Sequence, residues 1–264
     1  MKDILSEYSS QVVSDLAGEK ILLVEPLGQG GWAEAYKVVV PTQVVVVRWS
    51  DHRENFERDA QAAYFGNSML PVPKIIEIGS RFNKVYAVSE FVEGNYFELL
   101  DHKDLELALP SMEAVIKAIR EVDLTVARGF GHWNRSLEGE SSSWKDFLLG
   151  VKAERNQSLV GGWKNNLLAW DGGEKLFDDL YIELEGLVSR CPEDRQLIHS
   201  DLLNFNVLVA DNRVSAVLDW GSSMFGDCLY DIAWFMFYEP WYPLFGELGV
   251  IERLKAGFLE TKLA

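Results

Sequence analysis

The sequence predicts an α+β fold of two lobes, with an antiparallel sheet in the N-terminal lobe and mainly helices in the C-terminal lobe. Apolar and β-branched runs separated by turn residues fill residues 20–92, which is typical of strands. From residue 111 onward the apolar residues recur three and four positions apart, which is typical of helices. The pattern changes near residues 91–97. We therefore predict lobes of residues 1–93 and 94–264, enough chain for two lobes that share a core.

Strands and one helix account for the N-terminal lobe. Pro41 and Thr42 separate two of the strands and predict a hairpin between them. A helix is predicted over residues 51–66, where apolar residues share one face and Asp51 can cap the first turn. The stretches with strand character are residues 20–28, 34–40, 43–49, 71–79 and 84–92.

Two longer helices are predicted in the C-terminal lobe, over residues 111–124 and 173–190. A glycine- and serine-rich stretch between them predicts a loop that leads into a helix capped near Ser143. The residues expected to share a face are Met112, Val115, Ile116, Ile119 and Val122 in the first helix, and Leu176, Leu180, Leu184 and Leu187 in the second.

Composition indicates an ordinary soluble protein with an unusually acidic surface. Apolar residues make up 48% and charged residues 25%, but the net charge is −16. Such a surface repels nucleic acid and anionic membranes and favours cationic ligands, although the same charge can serve solubility alone. Two cysteines without metal-type spacing, no signal peptide and no long apolar run lead us to expect a cytoplasmic protein with no membrane partner. We also expect a monomer.

The stretch LIHSDLLNFNVLV, residues 197–209, concentrates polar residues at the end of an apolar strand. Two short strands follow, residues 206–210 and 214–220, with a turn at Asp211 and Asn212. Antiparallel pairing of these strands brings Asn206 at one end close to Asp219 at the other.

These residues have the chemistry of a magnesium site beside a general base. One carboxylate and one amide oxygen, from Asp219 and Asn206, are hard ligands for Mg²⁺, which keeps waters and phosphate oxygens in the rest of its shell. Asp201 stands five residues before Asn206 and can accept a proton from a hydroxyl nucleophile.

Here the sequence resembles the protein-kinase-like fold, and in particular the aminoglycoside phosphotransferases. Their catalytic pattern His-x-Asp-x-x-x-x-Asn is met by His199, Asp201 and Asn206, and their later metal-binding aspartate by Asp219 in LDWG. The stretches LPVPKIIEIG, CPEDRQLIHSD and AVLDWGSSMFGDCLYDIAWFMFYEPW are most similar to the hygromycin B phosphotransferases. The resemblance implies a bilobal fold that transfers phosphate from ATP or GTP with Mg²⁺. It also implies that His199 orients the loop and that an aspartate at 227 or 231 braces it.

By this resemblance the N-terminal lobe holds the nucleotide. Backbone N–H groups of LGQGGWAEAY, residues 27–36, can approach the phosphates where glycine removes the side chain. Arg48 stands where most kinases carry a lysine, with Asp59 as its implied acidic partner, although the two can also be a mere surface ion pair. The residues assigned to the nucleotide are Gly28, Gly30, Gly31, Arg48, Asp59, Ser89 and Phe91, the last two through backbone contacts with the base.

Acceptor recognition is assigned to Tyr238, Glu239 and Trp241. Aromatic faces and a carboxylate suit a small, cationic, sugar-rich substrate, and the two rings match ring-stacking positions of the resembled family. The alternative is that these aromatic residues only pack in the core.

The sequence thus favours an ATP-dependent O-phosphotransferase that acts on an aminoglycoside of the hygromycin B type. Two alternatives stay open: a kinase of a choline-, amino-alcohol- or sugar-type metabolite, and a catalytically silent binding module of the same fold. The chain ends at Ala264, sooner after DIAW than hygromycin B phosphotransferases do. We expect either a more open acceptor site or a sequence that is part of a longer protein.

Overall fold

A computed structural model describes residues 2–153 and 162–262. Its N-terminal part is an antiparallel sheet of five strands in the order β1-β2-β3-β5-β4, with helices packed against it. The elements are α1 (Lys2–Ala17), β1 (Leu23–Gln29), β2 (Glu34–Val39), β3 (Val44–Ser50), α2 (Arg53–Phe65), β4 (Ile75–Arg81) and β5 (Lys84–Glu90). The α+β class and the antiparallel N-terminal sheet are confirmed.

Helix α1 was not predicted from the sequence. Its apolar side buries Leu5, Val12 and Val13 against the sheet. The hydroxyl of Ser9 donates to the Leu5 carbonyl at 2.7 Å and accepts the indole N–H of Trp49 at 2.8 Å. This helix closes one face of the sheet, which leaves the central strand β3 buried.

Helix α2 begins at Arg53, and the prediction that Asp51 caps it is wrong. His52 holds the cap position without a side-chain bond to the helix backbone, while the Asp51 carboxylate pairs with Lys84 Nζ at 3.3 Å. The helix buries Phe56, Asp59 and Ala62, so an acidic residue sits on its inner face. Because a buried charge needs a partner, this face marks α2 as part of a site.

The rest of the described chain forms two small sheets surrounded by helices. One sheet has the strand order β11-β10-β6 and the other β8-β7-β12-β9. The strands are β6 (Asn95–Tyr96), β7 (Phe130–Trp133), β8 (Gly139–Ser141), β9 (Gln196–Ile198), β10 (Val207–Ala210), β11 (Arg213–Val217) and β12 (Met224–Gly226). The helices are α3 (His102–Arg120), α4 (Trp144–Leu149), α5 (Trp163–Leu168), α6 (Gly173–Val188), α7 (Leu229–Tyr238), α8 (Pro243–Glu247) and α9 (Val250–Lys262).

Helix α3 is longer than the predicted 111–124. It starts at His102, where the Asp101 side chain accepts the Asp104 N–H, and it runs through Pro110. Proline removes one helical hydrogen bond, but the turns before it bury Leu105 and Leu109 in the main core, which offsets that cost. The predicted cap at Ser143 is confirmed, since its hydroxyl accepts the Asp146 N–H at 3.0 Å.

The predicted leucine face of α6 is wrong for Leu176, Leu180 and Leu187, whereas Leu184 lies on the inner face as predicted. Leu176, Leu180 and Leu187 are 43%, 55% and 54% exposed. The helix turns another set of residues inward, namely Phe177, Tyr181, Leu184 and Val188. The Tyr181 hydroxyl anchors this face by donating to the Leu149 carbonyl at 3.0 Å. The apolar spacing is helical for both sets, so periodicity alone did not decide between them.

No helix among the described residues is both long and apolar enough to cross a membrane.

Candidate active site

The site is built around the catalytic loop, residues 199–206, which follows β9. His199 is fully buried, its Nε2 lies 2.8 Å from the Leu218 carbonyl, and its Nδ1 accepts the Asp201 N–H at 3.2 Å. These two contacts assign the ring proton to Nε2. Burial lowers the pKa of His199 to about 4, so the imidazole is neutral at pH 7. The ring orients the loop, as expected.

Asp231 on α7 braces the start of the same loop. Its carboxylate accepts the N–H groups of His199 at 3.0 Å and Ser200 at 2.6 Å. Burial raises the pKa of Asp231 to about 7, against the two N–H bonds that favour its charged form. Asp227 accepts the Leu229 N–H at 3.1 Å, at the start of α7. The interpretation of an aspartate here as a structural brace is confirmed for Asp231.

Asp201 is held by the side chains of two asparagines. Its Oδ1 accepts from Asn204 Nδ2 at 2.7 Å, and its Oδ2 accepts from Asn206 Nδ2 at 3.1 Å. Burial raises the pKa of Asp201 to about 6, and the charges of Asp219 and Glu98 add to this, while the two asparagines oppose it. A carboxylate fixed in this way is ready to accept a hydrogen bond from a hydroxyl group.

The paired strands bring Asn206 and Asp219 together, as predicted. Val207 pairs with Val217, and the Leu218 N–H donates to the Asn206 carbonyl at 2.7 Å. The turn residues Asp211 and Asn212 have φ of 50° and 60°, the conformation of a tight hairpin turn. Asp219 therefore directly follows the residue that is bonded to Asn206.

These two side chains fit a magnesium ion. Asn206 Nδ2 donates to the carbonyls of Asp201 at 2.8 Å and Leu203 at 3.2 Å, which turns its amide oxygen the other way and leaves it free to bind a cation. Burial and the charge of Asp59 raise the pKa of Asp219, while the charge of Arg48 opposes this rise. No group of three or more His, Cys, Asp or Glu residues within 2–153 and 162–262 is arranged to hold a metal. Two oxygen ligands suit Mg²⁺ bound mainly through phosphates and water.

Arg48 and Asp59 form a buried ion pair, not a surface pair. Arg48 Nη2 lies 2.6 Å from Asp59 Oδ2, and the side chains are 19% and 6% exposed. The other carboxylate oxygen, Asp59 Oδ1, accepts the Trp220 N–H at 2.7 Å. Burial opposes the charge of Arg48, but Asp59 and Asp219 outweigh it and raise the pKa of the guanidinium. Asp59 thus connects Arg48 to the residue that follows Asp219.

The glycine loop, residues 28–33, contains the last two residues of β1 and the turn to β2, and it is exposed at residues 28–31 and half-buried at residues 32 and 33. A bulge between Pro26 and Gly28 interrupts the pairing of these strands, and Gly28 has φ of 155°. The Gly30 N–H donates to the Ala33 carbonyl at 2.9 Å. A Cβ built at Gly28 would meet nothing within 4 Å, so the loop backbone is open to a ligand.

Ser89 and Phe91 lie at the end of β5, where the chain leaves the sheet. Ser89 is buried between Val46 of β3 and Ile75 of β4. Phe91 follows the last residue of β5, and Lys37 Nζ lies 4.7 Å from the centre of its ring. The backbone contacts assigned to these two residues stay predictions.

The residues assigned to the acceptor lie at the end of α7 and in the turn after it. Tyr238 stacks on Trp234, with ring centres 5.5 Å apart, and faces Trp241 at 6.1 Å. Trp241 is 65% exposed, so it does not serve as a core residue. Glu239 starts the short 3-10 turn that carries Trp241. Their contact with a substrate stays a prediction.

Two further residues of the site were not found from the sequence. Glu98 Oε1 accepts the Phe205 N–H inside the catalytic loop at 2.9 Å. Arg58 donates from Nε to the Trp133 carbonyl at 2.9 Å and from Nη1 to the Gly221 carbonyl, and so fixes α2 beside Asp219. Both contacts join residues far apart in sequence, and neither leaves a local pattern.

Comparison with known proteins identifies the family of the chain. Residues 24–261 match the profile of the phosphotransferase enzyme family. The chain belongs to this family. Among the curated members, it is 28% identical over 220 residues to hygromycin-B 4-O-kinase of Escherichia coli. The match covers 81% of this chain and 62% of that enzyme, so the chain spans less than two thirds of its relative.

Solved structures of aminoglycoside phosphotransferase APH(4)-Ia have the same fold as this phosphotransferase family member. A thermostable mutant bound to AMP-PNP and hygromycin B superposes with a TM-score of 0.80 at 26% identity, covering 90% of this chain and 79% of that one. A second mutant, bound to ADP and hygromycin B, gives a TM-score of 0.81 at 25% identity, with coverage of 95% and 87%. These structures confirm the kinase-like fold.

Proposed function

We propose that this member of the phosphotransferase enzyme family transfers the γ-phosphate of ATP, or of GTP, to a hydroxyl group of an aminoglycoside of the hygromycin B type. The observation that carries the proposal is the arrangement of Asp201 beside Asn206 and Asp219, with Arg48 fixed against Asp59. Its similarity to hygromycin-B 4-O-kinase and to APH(4)-Ia supports the choice of acceptor.

In this mechanism Asp201 orients the acceptor hydroxyl and takes its proton as the new phosphate ester bond forms. Asn204 and Asn206 keep the carboxylate in place, so little reorganisation precedes the transfer. Positioning and electrostatics account for most of the rate, because phosphoryl transfer has a loose transition state.

The nucleotide is held from the opposite side by Arg48 and by the glycine loop. The guanidinium carries a permanent charge toward the phosphates, and its pairing with Asp59 fixes its direction. Asn206 and Asp219 would hold Mg²⁺, which supplies the charge that neutralises the phosphate oxygens. Because the same Asp59 bonds to Trp220 N–H, the phosphate clamp and the metal ligand Asp219 are fixed to one carboxylate.

The acceptor would lie against Tyr238, Glu239 and Trp241. An exposed indole next to a carboxylate favours a ligand with both sugar rings and ammonium groups. The net charge of −16 would attract such a ligand over a longer range. Resistance to the antibiotic would follow from this activity. A cytoplasmic location and a monomeric state stay predictions.

ADP release from purified protein with Mg²⁺-ATP and Mg²⁺-GTP tests the proposal across two acceptor panels. The first contains aminoglycosides including hygromycin B, and the second contains choline, amino alcohols and sugars. We expect turnover with a member of the first panel and its loss in Asp201→Ala. Turnover with the second panel alone would replace the antibiotic by a metabolite as acceptor. Nucleotide binding without turnover on either panel would contradict the proposed function.

A further inference from the structure

The segment just after β5 touches the catalytic loop at two points. Strand β6 pairs with β10, and the Tyr96 ring packs edge-on against the Phe205 ring, with centres 5.3 Å apart. Two residues later, Glu98 Oε1 accepts the Phe205 N–H at 2.9 Å. Both contacts fall on one residue of the loop.

Phe205 lies in a part of the catalytic loop with an unfavourable backbone conformation. Asn204 and Phe205 are consecutive residues with φ of 65° and 67°, a conformation that costs energy for a side chain other than glycine. The neighbours on either side do the bonding: Asn204 donates to Asp201 Oδ1, and Asn206 donates to Asp201 Oδ2. A shift of the Phe205 backbone would therefore displace Asn204 and Asn206, the two donors to Asp201. Asn206 is also a proposed metal ligand.

The carboxylate of Glu98 is shielded from solvent but only partly hydrogen-bonded. It is half-buried, and its second oxygen, Oε2, is shielded from solvent without a hydrogen-bond partner among the described residues. Burial raises the pKa of this carboxyl group, while the N–H groups of Phe205 and Asn204 oppose the rise. A half-satisfied carboxylate at this depth is costly, and such cost is typical of functional sites.

We propose that Glu98 is a positioning residue for phosphoryl transfer, whose carboxylate fixes the Asn204–Asn206 segment and through it Asp201. The inference rests on the proposed function for its kinetic consequence, and on the Phe205 contact alone for its structural one. Glu98 does not touch the reacting atoms in this role. It acts through the loop that carries them.

Three substitutions separate the possible roles of the side chain. Glu98→Gln keeps an oxygen that can accept the Phe205 N–H and removes the charge. Glu98→Asp keeps the charge but is one methylene too short to reach the loop. Glu98→Ala removes both. Glu193→Ala is the matched control, because Glu193 accepts the Trp144 N–H at 2.7 Å in the same way, at the start of α4.

Hydrogen exchange of the catalytic loop is the first readout and needs no turnover. We expect the Phe205 amide to exchange about tenfold faster in Glu98→Ala and Glu98→Asp, and within about twofold of wild type in Glu98→Gln. Glu193→Ala should leave this amide unchanged. Unchanged exchange in Glu98→Ala would overturn the proposal.

Steady-state kinetics is the second readout. We expect kcat to fall about tenfold in Glu98→Ala and Glu98→Asp, with KM for ATP within about twofold, and to be largely retained in Glu98→Gln. A raised acceptor KM with unchanged kcat in Glu98→Gln would overturn the proposal in favour of direct contact with the acceptor. If the wild type turns over no acceptor, the proposed function fails, and the exchange result decides the positioning of the loop by itself.

Discussion

The catalytic loop and the glycine loop are both assigned to the phosphates, yet they are built in opposite ways. In the catalytic loop, buried side chains bond to the backbone and hold residues such as Ser200 in left-handed conformations. The glycine loop is mostly exposed. Apart from the pairing of Gly28 and Gln29 with β2, its described bonds are that between Gly30 and Ala33 and that from the Ser50 hydroxyl to the Trp32 carbonyl. The side chains proposed to carry out the chemistry are thus held by several bonds each, whereas the loop proposed to cover the nucleotide is held by few.

Loss of a proposed metal ligand should give the largest decrease in activity. Asp219→Ala removes one of the two proposed protein ligands of Mg²⁺, so we expect kcat to fall by a factor on the order of 10²–10³. Titration of activity with Mg²⁺ measures the change. Asp211→Ala in the hairpin turn is the control, and equal losses in both variants would show that folding of the hairpin, not metal binding, was tested.

Disruption of the buried ion pair should give the second-largest effect. Asp59→Ala leaves Arg48 buried without its partner and frees the Trp220 N–H, so we expect a loss of about 3 kcal/mol in the free energy of unfolding. The KM for ATP should rise as well. Denaturant unfolding measures the first effect, and the dependence of ADP release on ATP concentration measures the second.

The control for this pair is Lys175 and Asp179, which lie on the surface of α6. Asp179→Ala should leave the unfolding midpoint unchanged, because solvent screens the pair. A similar loss in Asp59→Ala and Asp179→Ala would contradict the special place of the buried pair.

Substitution of an exposed aromatic residue should change the KM of only one substrate. Trp241→Ala removes a ring proposed to lie against the acceptor, so we expect the acceptor KM to rise about fivefold while KM for ATP stays unchanged. Trp170→Ala, at another exposed tryptophan, serves as the control. Equal effects of the two substitutions on the acceptor KM would rule out the assignment.

The glycine loop should give the smallest effect. Gly28→Ala places a side chain at φ of 155°, and we expect a cost of about 1 kcal/mol together with a few-fold rise in KM for ATP. Gly186→Ala lies within α6, where a Cβ meets nothing within 4 Å, and should be neutral or slightly stabilising. Unchanged KM for ATP in Gly28→Ala would weaken the assignment of this loop to the nucleotide.

The sequence predicted what short-range pattern encodes. Asn206 and Asp219 were correctly predicted to lie close together because a two-residue turn forms the hairpin between them, although a bulge between Leu208 and Val209 shifts its register by one residue. Prediction from the sequence failed where the structure depends on packing between residues far apart in the chain. Three of the four predicted leucines of α6 follow the helical period yet face solvent, and Glu98 was missed because its partner Phe205 lies 107 residues away. Helix α1 was overlooked although Leu5, Val12 and Val13 have helical spacing.

The most direct test of the central claim is the single-turnover rate of phosphate transfer to the acceptor that stimulates ADP release, in wild type and in Asp201→Asn. Asparagine keeps the size of the side chain but cannot take the proton. We predict a fall in the transfer rate on the order of 10²–10⁴, with the affinities for nucleotide and acceptor within about twofold. Transfer at the wild-type rate in Asp201→Asn would contradict the role of this carboxylate.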